Sequence, residues 1–395
     1  MIILVLNCGS SSIKFQLRDL SREAPLATGL VSEIGSPRAH FQWESRAGRW
    51  DDAAPDLSYR EGLQRLLAAI SSGEQRVIPS LAALDAVGHR VVHGGERFSD
   101  ATLISDEVIA AIEAVSDLAP LHNPANLLGI EVCRELLPNT PQVAVFDTAF
   151  HQTLPAHAYL YALPYELYER HGVRRYGFHG TSHRYVTERA AALLGRTGRF
   201  ISLHLGNGCS IAAVREGRSV DTSMGLTPLE GLVMGTRSGD IDPALVTFIA
   251  AKEGISASEV ERLLNKQSGL LGLSQSTSDM RLLLEGAAAG DGACQRAVDL
   301  FCYRARKYIG AYAAAMGGVD ALIFTGGIGE NAPPIRATIV QGLEFLGISL
   351  DETANRDGKV RGQIHGPAAT VPVLVIPTNE EGVIAEDTRR IVERC

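Results

Sequence analysis

The segment Ile2-Ile3-Leu4-Val5-Leu6-Asn7-Cys8-Gly9-Ser10-Ser11-Ser12-Ile13-Lys14-Phe15 joins an apolar run to a polar turn and a second run. The first run is typical of a buried strand, and the alternation through Ile13, Phe15 and Leu17 predicts a second strand. Glycine and serine in the turn offer N–H and hydroxyl donors to a phosphate group. An ordinary β-hairpin with a polar tip explains this segment equally well.

A second segment repeats this pattern half a chain away. An apolar strand is predicted at 200–205, a Gly/Asn/Ser turn at 206–210 and a strand opened by isoleucine at 211–214. The repetition predicts an internally duplicated fold of two similar α/β halves.

Size and composition limit the class of protein. With 395 residues the chain is expected to form two domains. A net charge of −8 argues against a nucleic-acid-binding surface. Six scattered cysteines without a C-x-x-C pair indicate reduced thiols, and the apolar runs are too short for a signal peptide or a membrane span. We therefore expect a cytoplasmic protein with no nucleic-acid or membrane partner.

Hydrophobic periodicity predicts the other elements. Strands are predicted at 26–31, 40–43, 86–92, 142–146, 321–325 and 371–376. Helices are predicted at 59–70, 106–118, 126–137, 183–194, 243–252, 257–264, 294–316 and from about 382 to 394. A domain boundary is expected within 147–155, because a strand ends there and Pro155 follows.

Three turns rich in Gly, Asn or Ser follow apolar strands, at 7–12, 206–210 and 326–331. The chain has neither G-x-x-x-x-G-K-[ST] nor G-x-G-x-x-G, which excludes a P-loop and a dinucleotide fingerprint. Ligands of α/β proteins gather beyond the carboxyl ends of strands, so three such turns favour a nucleotide phosphate site.

The octapeptide Tyr176-Gly177-Phe178-His179-Gly180-Thr181-Ser182-His183 surrounds a histidine with small residues. The spacing of the two histidines is also that of a metal pair on a helix, but Gly180 is unfavourable inside a helix and no cysteine or third histidine is nearby, so zinc is disfavoured. We expect Ser182 to cap the following helix and His179 to donate to an anion from the preceding loop.

Three charged residues occupy unusual positions. Arg90 lies in a nearly apolar strand, where it needs a carboxylate or phosphate; a structural ion pair and a bound substrate both meet that need. Arg237 is framed by small residues, which favours a ligand-facing loop. Asp147 ends a strand, where either a metal-binding or catalytic carboxylate or a helix N-cap is expected.

Together these motifs resemble the acetate kinase family over essentially the whole chain. The matching segments are 7–15, 89–95, 146–151, 176–183, 204–208, 326–331 and 377–381. The resemblance implies an α/β fold with a duplicated ribonuclease-H-like (actin-like ATPase) core, in two domains with an active-site cleft between them. The N-terminal domain would comprise 1–150 and the C-terminal helix 382–395, and the domain 151–381 would carry most of the ATP site.

The resemblance also implies reversible, direct in-line phosphoryl transfer from ATP to acetate, giving acetyl phosphate and ADP. It implies Mg²⁺, with Mn²⁺ as an alternative, a homodimer and a place in acetyl-CoA biosynthesis. Asn7 and Glu380 would hold the metal. The nucleotide would contact Lys14, His204, Leu205, Gly206, Asn207, Gly208, Asp279, Met280, Arg281, Gly327, Ile328, Gly329, Glu330 and Asn331.

Carried over in the same way, Arg90 would bind the substrate carboxylate. The pocket for the acetate methyl would be formed by Val92, Leu121, Phe178 and Pro228. His179 and Arg237 would stabilise the transition state, and Asp147 would be the third catalytic residue, usually given a proton-transfer role. Acetate is already ionised at pH 7 and needs no general base, so we expect Asp147 to act through the metal or by positioning. The arginines would neutralise charge, and His179 would donate to the phosphoryl oxygens.

Three alternatives compete with this interpretation. A propionate or butyrate kinase would use the same chemistry, but branched Val92 predicts a tight pocket and favours acetate. A sugar kinase would need a carboxylate base and a polar pocket. An ATP-switched module of the actin or Hsp70 kind would need a polymer interface or a peptide-binding domain, which we do not expect in the fifteen residues that follow Glu380.

Overall fold

The computed structural model describes residues 1–120, 122–357 and 362–394. The chain divides into two compact units: unit 1 is Met1–Gln152 with Asn379–Cys395, and unit 2 is Thr153–Thr378. Within the described residues, no helix combines the length and the apolar character needed to cross a membrane.

Unit 1 is built on a mixed eight-stranded sheet. Its strands are β1 (Ile2–Gly9), β2 (Ser12–Asp19), β3 (Ala27–Ser32), β4 (His40–Ser45), β5 (Gly48–Ala53), β6 (Ala86–Val91), β7 (Thr102–Leu103) and β8 (Gln142–Phe146). They lie in the order β5-β4-β3-β2-β1-β6-β8-β7, with β6 parallel to both β1 and β8. The helices are α1 (Tyr59–Ser71), α2 (Asp106–Ala114) and α3 (Asn123–Leu136).

Unit 2 is built on a six-stranded sheet. Its strands are β9 (Arg199–Leu205), β10 (Cys209–Arg215), β11 (Arg218–Thr222), β12 (Ala321–Thr325), β13 (Gly362–Gln363) and β14 (Val373–Val375), in the order β11-β10-β9-β12-β14-β13. Its helices are α4 (Ala156–Tyr159), α5 (Tyr165–His171), α6 (Gly180–Leu194), α7 (Ala244–Glu253), α8 (Ala257–Lys266), α9 (Gly269–Ser274), α10 (Met280–Ala288), α11 (Gly292–Met316), α12 (Gly326–Asn331), α13 (Pro333–Val340) and α14 (Glu352–Arg356).

The chain then returns to unit 1 as α15 (Glu380–Val392), which packs against β1, β6 and β8. Short 3₁₀ helices occur at Leu81–Ala83, Ser116–Leu118, Ala149–Thr153 and Glu344–Leu346.

The two sheets share one topology. In each, three strands consecutive in sequence pair antiparallel, and two later strands run parallel to the first: β6 lies beside β1 and β8 beside β6, and β12 lies beside β9 and β14 beside β12. The order 3-2-1-4-5 is thus repeated, and the predicted duplicated α/β core is confirmed. The opening hairpin also has the expected register, with Asn7 opposite Lys14.

The core forms where the apolar periodicity is regular. In α1, Leu63, Leu66, Leu67 and Ile70 recur every three or four residues, and all four are buried in the cluster that contains the β2 side chains. A capping box begins this helix, with the Ser58 hydroxyl accepting from Glu61 N. The apolar periodicity and the capping box therefore both predict a helix here, as observed.

Several predicted bounds were wrong. The turn expected at 326–331 is the short helix α12, the helix expected from 183 begins at Gly180, and the strand expected at 371–376 is only Val373–Val375. The helix expected at 106–118 ends at Ala114, and a 3₁₀ turn follows. Glycine-rich or polar ends carry little periodic signal, so local patterns place such boundaries poorly.

Candidate active site

Unit 1 carries four of the predicted site residues at or just beyond its parallel strands β1, β6 and β8. Asn7 lies near the end of β1, Arg90 lies in β6 with Val92 just after it, and Asp147 directly follows β8. Because β1, β6 and β8 are parallel neighbours, their carboxyl ends lie along one edge of the sheet, where ligands of α/β proteins bind.

Arg90 and Asp147 form a bidentate ion pair. Arg90 Nε lies 3.0 Å from Asp147 Oδ1, and Nη2 lies 2.6 Å from Oδ2. Asp147 is 1% exposed, whereas 23% of the Arg90 side chain remains accessible. The carboxylate partner considered for Arg90 is thus Asp147, which contacts Nε and Nη2 and leaves the Nη1 donors of the guanidinium for a second anion.

More carboxylates act on Arg90. Burial lowers its pKa, but Asp147, Glu380 and Glu381 outweigh that effect and hold the pKa above its ordinary value. Lys14 Nζ contacts Glu381 Oε1 at 2.5 Å. Burial raises the pKa of the Glu381 carboxyl, but the contact with Lys14 outweighs it, so the net shift is downward. Glu381 is a member of this region that the sequence did not single out.

The oxygen donors of unit 1 fit Mg²⁺. Over the described ranges, no group of three or more His, Cys, Asp or Glu side chains is arranged to hold a metal ion. Mg²⁺, however, is usually bound through one or two carboxylates together with substrate phosphates and water. The Asn7 amide and the Glu380 carboxylate are hard oxygen donors of the kind that Mg²⁺ prefers.

Two buried asparagines of α3 hold the segment after β6. Asn126 Oδ1 accepts from Val92 N at 3.0 Å, and Asn126 Nδ2 donates to Cys8 O at 2.6 Å. Asn123 bonds both the N–H and the carbonyl of His93. Neither asparagine was predicted as a site residue from the sequence, although the Asn-Pro pair at the start of the helix is a signal. The predicted pocket residue Leu121 lies outside the described residues.

In unit 2, His179 precedes α6 with a left-handed backbone. Its φ is +56°, a conformation that costs of order 1–3 kcal/mol for a residue other than glycine and that clusters at functional sites. Its Nδ1 lies 2.9 Å from Ser210 Oγ, and its ring stacks on His204 with centroids 4.3 Å apart. The neighbouring Phe178, which the resemblance predicts as a pocket residue, is buried.

Ser182 does not cap α6, contrary to the sequence-based expectation. It lies inside the first turn, and its hydroxyl bonds His204 Nδ1 at 2.8 Å and Thr378 Oγ1 at 2.9 Å. The reason is that the helix begins three residues earlier than its hydrophobic pattern indicates, so that Ser182 points toward β9 rather than to the free N–H groups.

Arg237 lies on a loop fixed by backbone hydrogen bonds. Leu270 N donates to Met234 O at 2.9 Å and Ser238 N to Leu264 O at 3.0 Å. Gly269 has a φ of +61°, and a Cβ there would collide with Met234 O, so this close approach requires glycine. Arg237 Nη1 donates to Pro228 O at 3.3 Å. Burial lowers the Arg237 pKa, as expected for a desolvated cation that an anion would stabilise.

His179 and Arg237 converge beside Gly208. A Cβ placed on Gly208 would lie 3.6 Å from His179 Nε2 and 3.7 Å from Arg237 Nη1. The missing side chain leaves a space that two nitrogen groups border, although 58 residues separate them in sequence. Such a space suits a small anion, because donors set in advance around it need no rearrangement to stabilise negative charge.

A cavity of about 630 Å³ adjoins this backbone in unit 2, within the usual volume of small-molecule sites. It is lined by Gly206, Asn207, Thr277, Ser278, Asp279, Met280, Arg281, Leu284, Gly327, Ile328, Asn331 and Ala332. Eight of these are predicted nucleotide contacts; the sequence analysis missed Thr277, Ser278, Leu284 and Ala332.

The other predicted nucleotide residues of unit 2 lie outside this lining. Leu205 and Gly329 are buried, and His204 contacts His179 and Ser182. Glu330 Oε1 accepts from Gly326 N at 3.0 Å and from Thr378 N at 3.2 Å, so its carboxylate connects the start of α12 with the segment that follows β14.

Unit 1 has a cavity of about 680 Å³ at the opposite end of β8 from Asp147. Its walls include Leu103, Arg134 and Gln142 and none of the predicted site residues. Volume alone therefore does not identify the active site of this protein.

Comparison with known proteins places these features in context. A family model described as "Acetokinase family" matches residues 2–386. The acetate kinase of Halothermothrix orenii is 54% identical over 397 residues, and that of Thermotoga maritima is 53% identical over 403 residues; each alignment covers 100% of this chain and at least 99% of the relative. The crystal structure of Porphyromonas gingivalis acetate kinase matches with a TM-score of 0.94 and 46% identity, and that of a propionate kinase from Francisella tularensis with 0.94 and 44%; both cover 99% of each chain.

Proposed function

Since this chain belongs to the acetokinase family, we propose that it transfers a phosphoryl group reversibly from ATP to acetate, giving acetyl phosphate and ADP. The observation that carries this proposal is the convergence of His179 and Arg237 beside Gly208, next to a cavity of the size that a nucleotide requires. The transfer brings two anions together, and N–H donors arranged in advance reduce the cost of doing so.

Unit 2 supplies nucleotide binding and charge stabilisation in this mechanism. Gly206 and Asn207 line the cavity and lead directly to Gly208, so a nucleotide bound there would direct its terminal phosphate toward His179 and Arg237. The charge of a transferring phosphoryl group is spread over its equatorial oxygens. His179 donates to one of these oxygens, and Arg237 neutralises their charge.

Unit 1 supplies the acetate side. Arg90 binds the carboxylate through the part of its guanidinium that Asp147 leaves accessible. Asp147 orients Arg90 and removes no proton, because acetate is already ionised. Val92, Leu121, Phe178 and Pro228 remain the residues proposed for the methyl pocket, although Phe178 and Pro228 belong to unit 2. The two functional domains proposed from the resemblance are residues 1–150 with 382–395 and residues 151–381, and they differ from the two compact units in residues 151–152 and 379–381.

The remaining parts of the proposal concern the metal, the assembly and the location. Asn7 and Glu380 would hold Mg²⁺ or Mn²⁺, which neutralises phosphate charge when bound with the nucleotide. Lys14 would lie by the phosphates.

The exposed apolar Leu245 and Phe248 of α7 support a homodimer. Five described cysteines are free thiols, which supports a cytoplasmic location and fits a role in acetyl-CoA biosynthesis.

Hydroxamate detection tests the reaction directly. With ATP, Mg²⁺ and acetate, the purified protein is expected to form acetyl phosphate, which hydroxylamine converts to a hydroxamate that gives a coloured complex with Fe³⁺. The signal should be absent without ATP or without acetate. A protein that binds ATP but forms no acyl phosphate would contradict the proposal.

Propionate kinase activity is the second candidate, favoured by the similarity to the Francisella tularensis enzyme. The two acids differ by one methylene, worth about 1–3 kcal/mol in an apolar pocket. Because Val92 is buried and its backbone is held by Asn126, the pocket should be narrow and kcat/KM higher for acetate. A higher kcat/KM for propionate would reverse the assignment.

Filling the space beside Gly208 is expected to impair catalysis. In Gly208→Ala the new methyl would lie against His179 Nε2 and Arg237 Nη1, without a steric clash in the backbone. Displacing the phosphoryl group by about 1 Å can lower kcat about 10²-fold. Steady-state kinetics measures this, with Gly310→Ala as a control, because a Cβ at Gly310 meets open space. Wild-type kcat in Gly208→Ala would show that this space is not used.

A further inference from the structure

We propose that Ser210 and His183 are positioning residues that hold His179 as the neutral tautomer with its proton on Nε2. The inference rests on the proposed function, in which that nitrogen donates to the transferred phosphoryl group. Neither Ser210 nor His183 is among the residues predicted from the sequence to contact a ligand.

A continuous chain of polar contacts leads to His179. Ser202 Oγ lies 2.9 Å from His183 Nδ1, His183 Nε2 lies 2.7 Å from Ser210 Oγ, and Ser210 Oγ lies 2.9 Å from His179 Nδ1. Ser202, His183 and Ser210 are each 0% exposed. Burying a polar group costs free energy unless the group is hydrogen-bonded. In this chain, whether one residue donates or accepts determines whether the next one accepts or donates.

The sheet explains why these residues meet. Ser202 pairs with Ala212 and His204 with Ser210 in the antiparallel ladder of β9 and β10. Residues two apart in a strand share a face, so both serines and His204 lie on the same face of this sheet. That face packs against α6, which carries His183.

Counting protons leaves two orders for the neutral chain. The single hydroxyl hydrogen of Ser210 goes either to His179 Nδ1 or to His183 Nε2. In the first order Ser202 donates to His183 Nδ1, His183 Nε2–H donates to Ser210, Ser210 donates to His179 Nδ1, and His179 carries its proton on Nε2. The second order leaves a lone pair at Nε2, facing the space beside Gly208. An anion in that space requires a donor, which selects the first order.

The tautomer can be measured on the wild-type protein. Imidazole ¹⁵N shifts distinguish protonated from unprotonated ring nitrogens, and the His179 signals are those lost in His179→Ala. We expect Nδ1 without a proton and Nε2 with one. A proton on Nδ1 alone, or on both nitrogens, would overturn the inference. This measurement needs no catalysis, so its failure is distinct from a failure of the hydroxamate assay.

A double-mutant cycle tests the positioning role. Ser210→Ala is expected to lower kcat about 10- to 100-fold, the usual cost of losing an outer partner, with KM for ATP and acetate little changed. In a His179→Ala background the same change should add almost nothing, since the residue that it orients is gone. Equal losses in both backgrounds would reduce Ser210 to a structural residue.

Ser223→Ala is the matched control for this cycle. Ser223 is also 0% exposed in this unit, and its hydroxyl accepts from Ile211 N at 3.0 Å without contacting a histidine. We expect near-wild-type kcat from Ser223→Ala. A loss of kcat as large as that of Ser210→Ala would mean that removing any buried hydroxyl of this sheet lowers kcat to the same extent. That result would contradict the proposed positioning of His179 by Ser210.

Discussion

Arg237→Ala is expected to lower kcat by about 10³-fold or more while the KM for ATP changes little, by analogy with arginine fingers. The guanidinium is desolvated, lies on a loop held at both ends and borders the space beside Gly208. Its charge therefore stabilises the transition state of phosphoryl transfer more than the bound substrates, because the interaction is strongest there and requires no rearrangement.

Steady-state kinetics in ATP and in acetate separates this role from simple binding. A transition-state contact lowers kcat and kcat/KM together, whereas a binding contact raises KM. Arg237→Lys should recover only part of the rate, since lysine keeps the charge and loses the planar fork. Arg356→Ala is the control, because Arg356 is an exposed arginine that, among the described residues, pairs with its helix neighbour Glu352. A large rise in KM with normal kcat would make Arg237 a binding residue.

Arg90→Met is expected to impair both activity and stability. Losing the contact with the substrate carboxylate should cost about 2–5 kcal/mol in transition-state stabilisation, measured as kcat/KM for acetate. Asp147 would also remain as a buried carboxylate without its cation, which should lower the free energy of unfolding by about 3–5 kcal/mol.

The double variant Arg90→Met/Asp147→Asn separates these two effects. Removing the charge of Asp147 together with that of Arg90 should restore much of the stability in urea unfolding, since no uncompensated ion remains. Activity should stay low, because the acetate carboxylate still lacks its cation. If the double variant recovered activity along with stability, Arg90 would be a structural residue and the acetate site would lie elsewhere.

Much of the fold could be predicted from local pattern. The opening hairpin, its repeat at 200–214 and helix α1 follow from hydrophobic periodicity, turn residues and capping, which act over a few residues. Errors fell where several signals compete. The glycines at 326–331 indicated a turn, yet the segment forms α12. Serine is favoured at helix N-caps, yet Ser182 lies inside α6.

The site was harder to predict than the fold. Arg90, Asp147, His179 and Arg237 could be identified through motifs and family resemblance. Asn126, which bonds both Val92 N and Cys8 O, could not, because its partners lie 34 and 118 residues away. The same holds for Ser210, whose contact with His179 spans 31 residues.

Local sequence accounts for most of the longer strands, the polar turns after β1 and β9 and the duplicated α/β plan, because each depends on side chains close together along the chain. The strands β5, β7, β11 and β13 were not predicted. Only the tertiary structure decided which groups meet: Arg90 with Asp147, His179 with Ser210, and both His179 and Arg237 beside Gly208. Such contacts depend on strand register and helix packing, since a shift of one residue in a strand turns every side chain to the opposite face of the sheet.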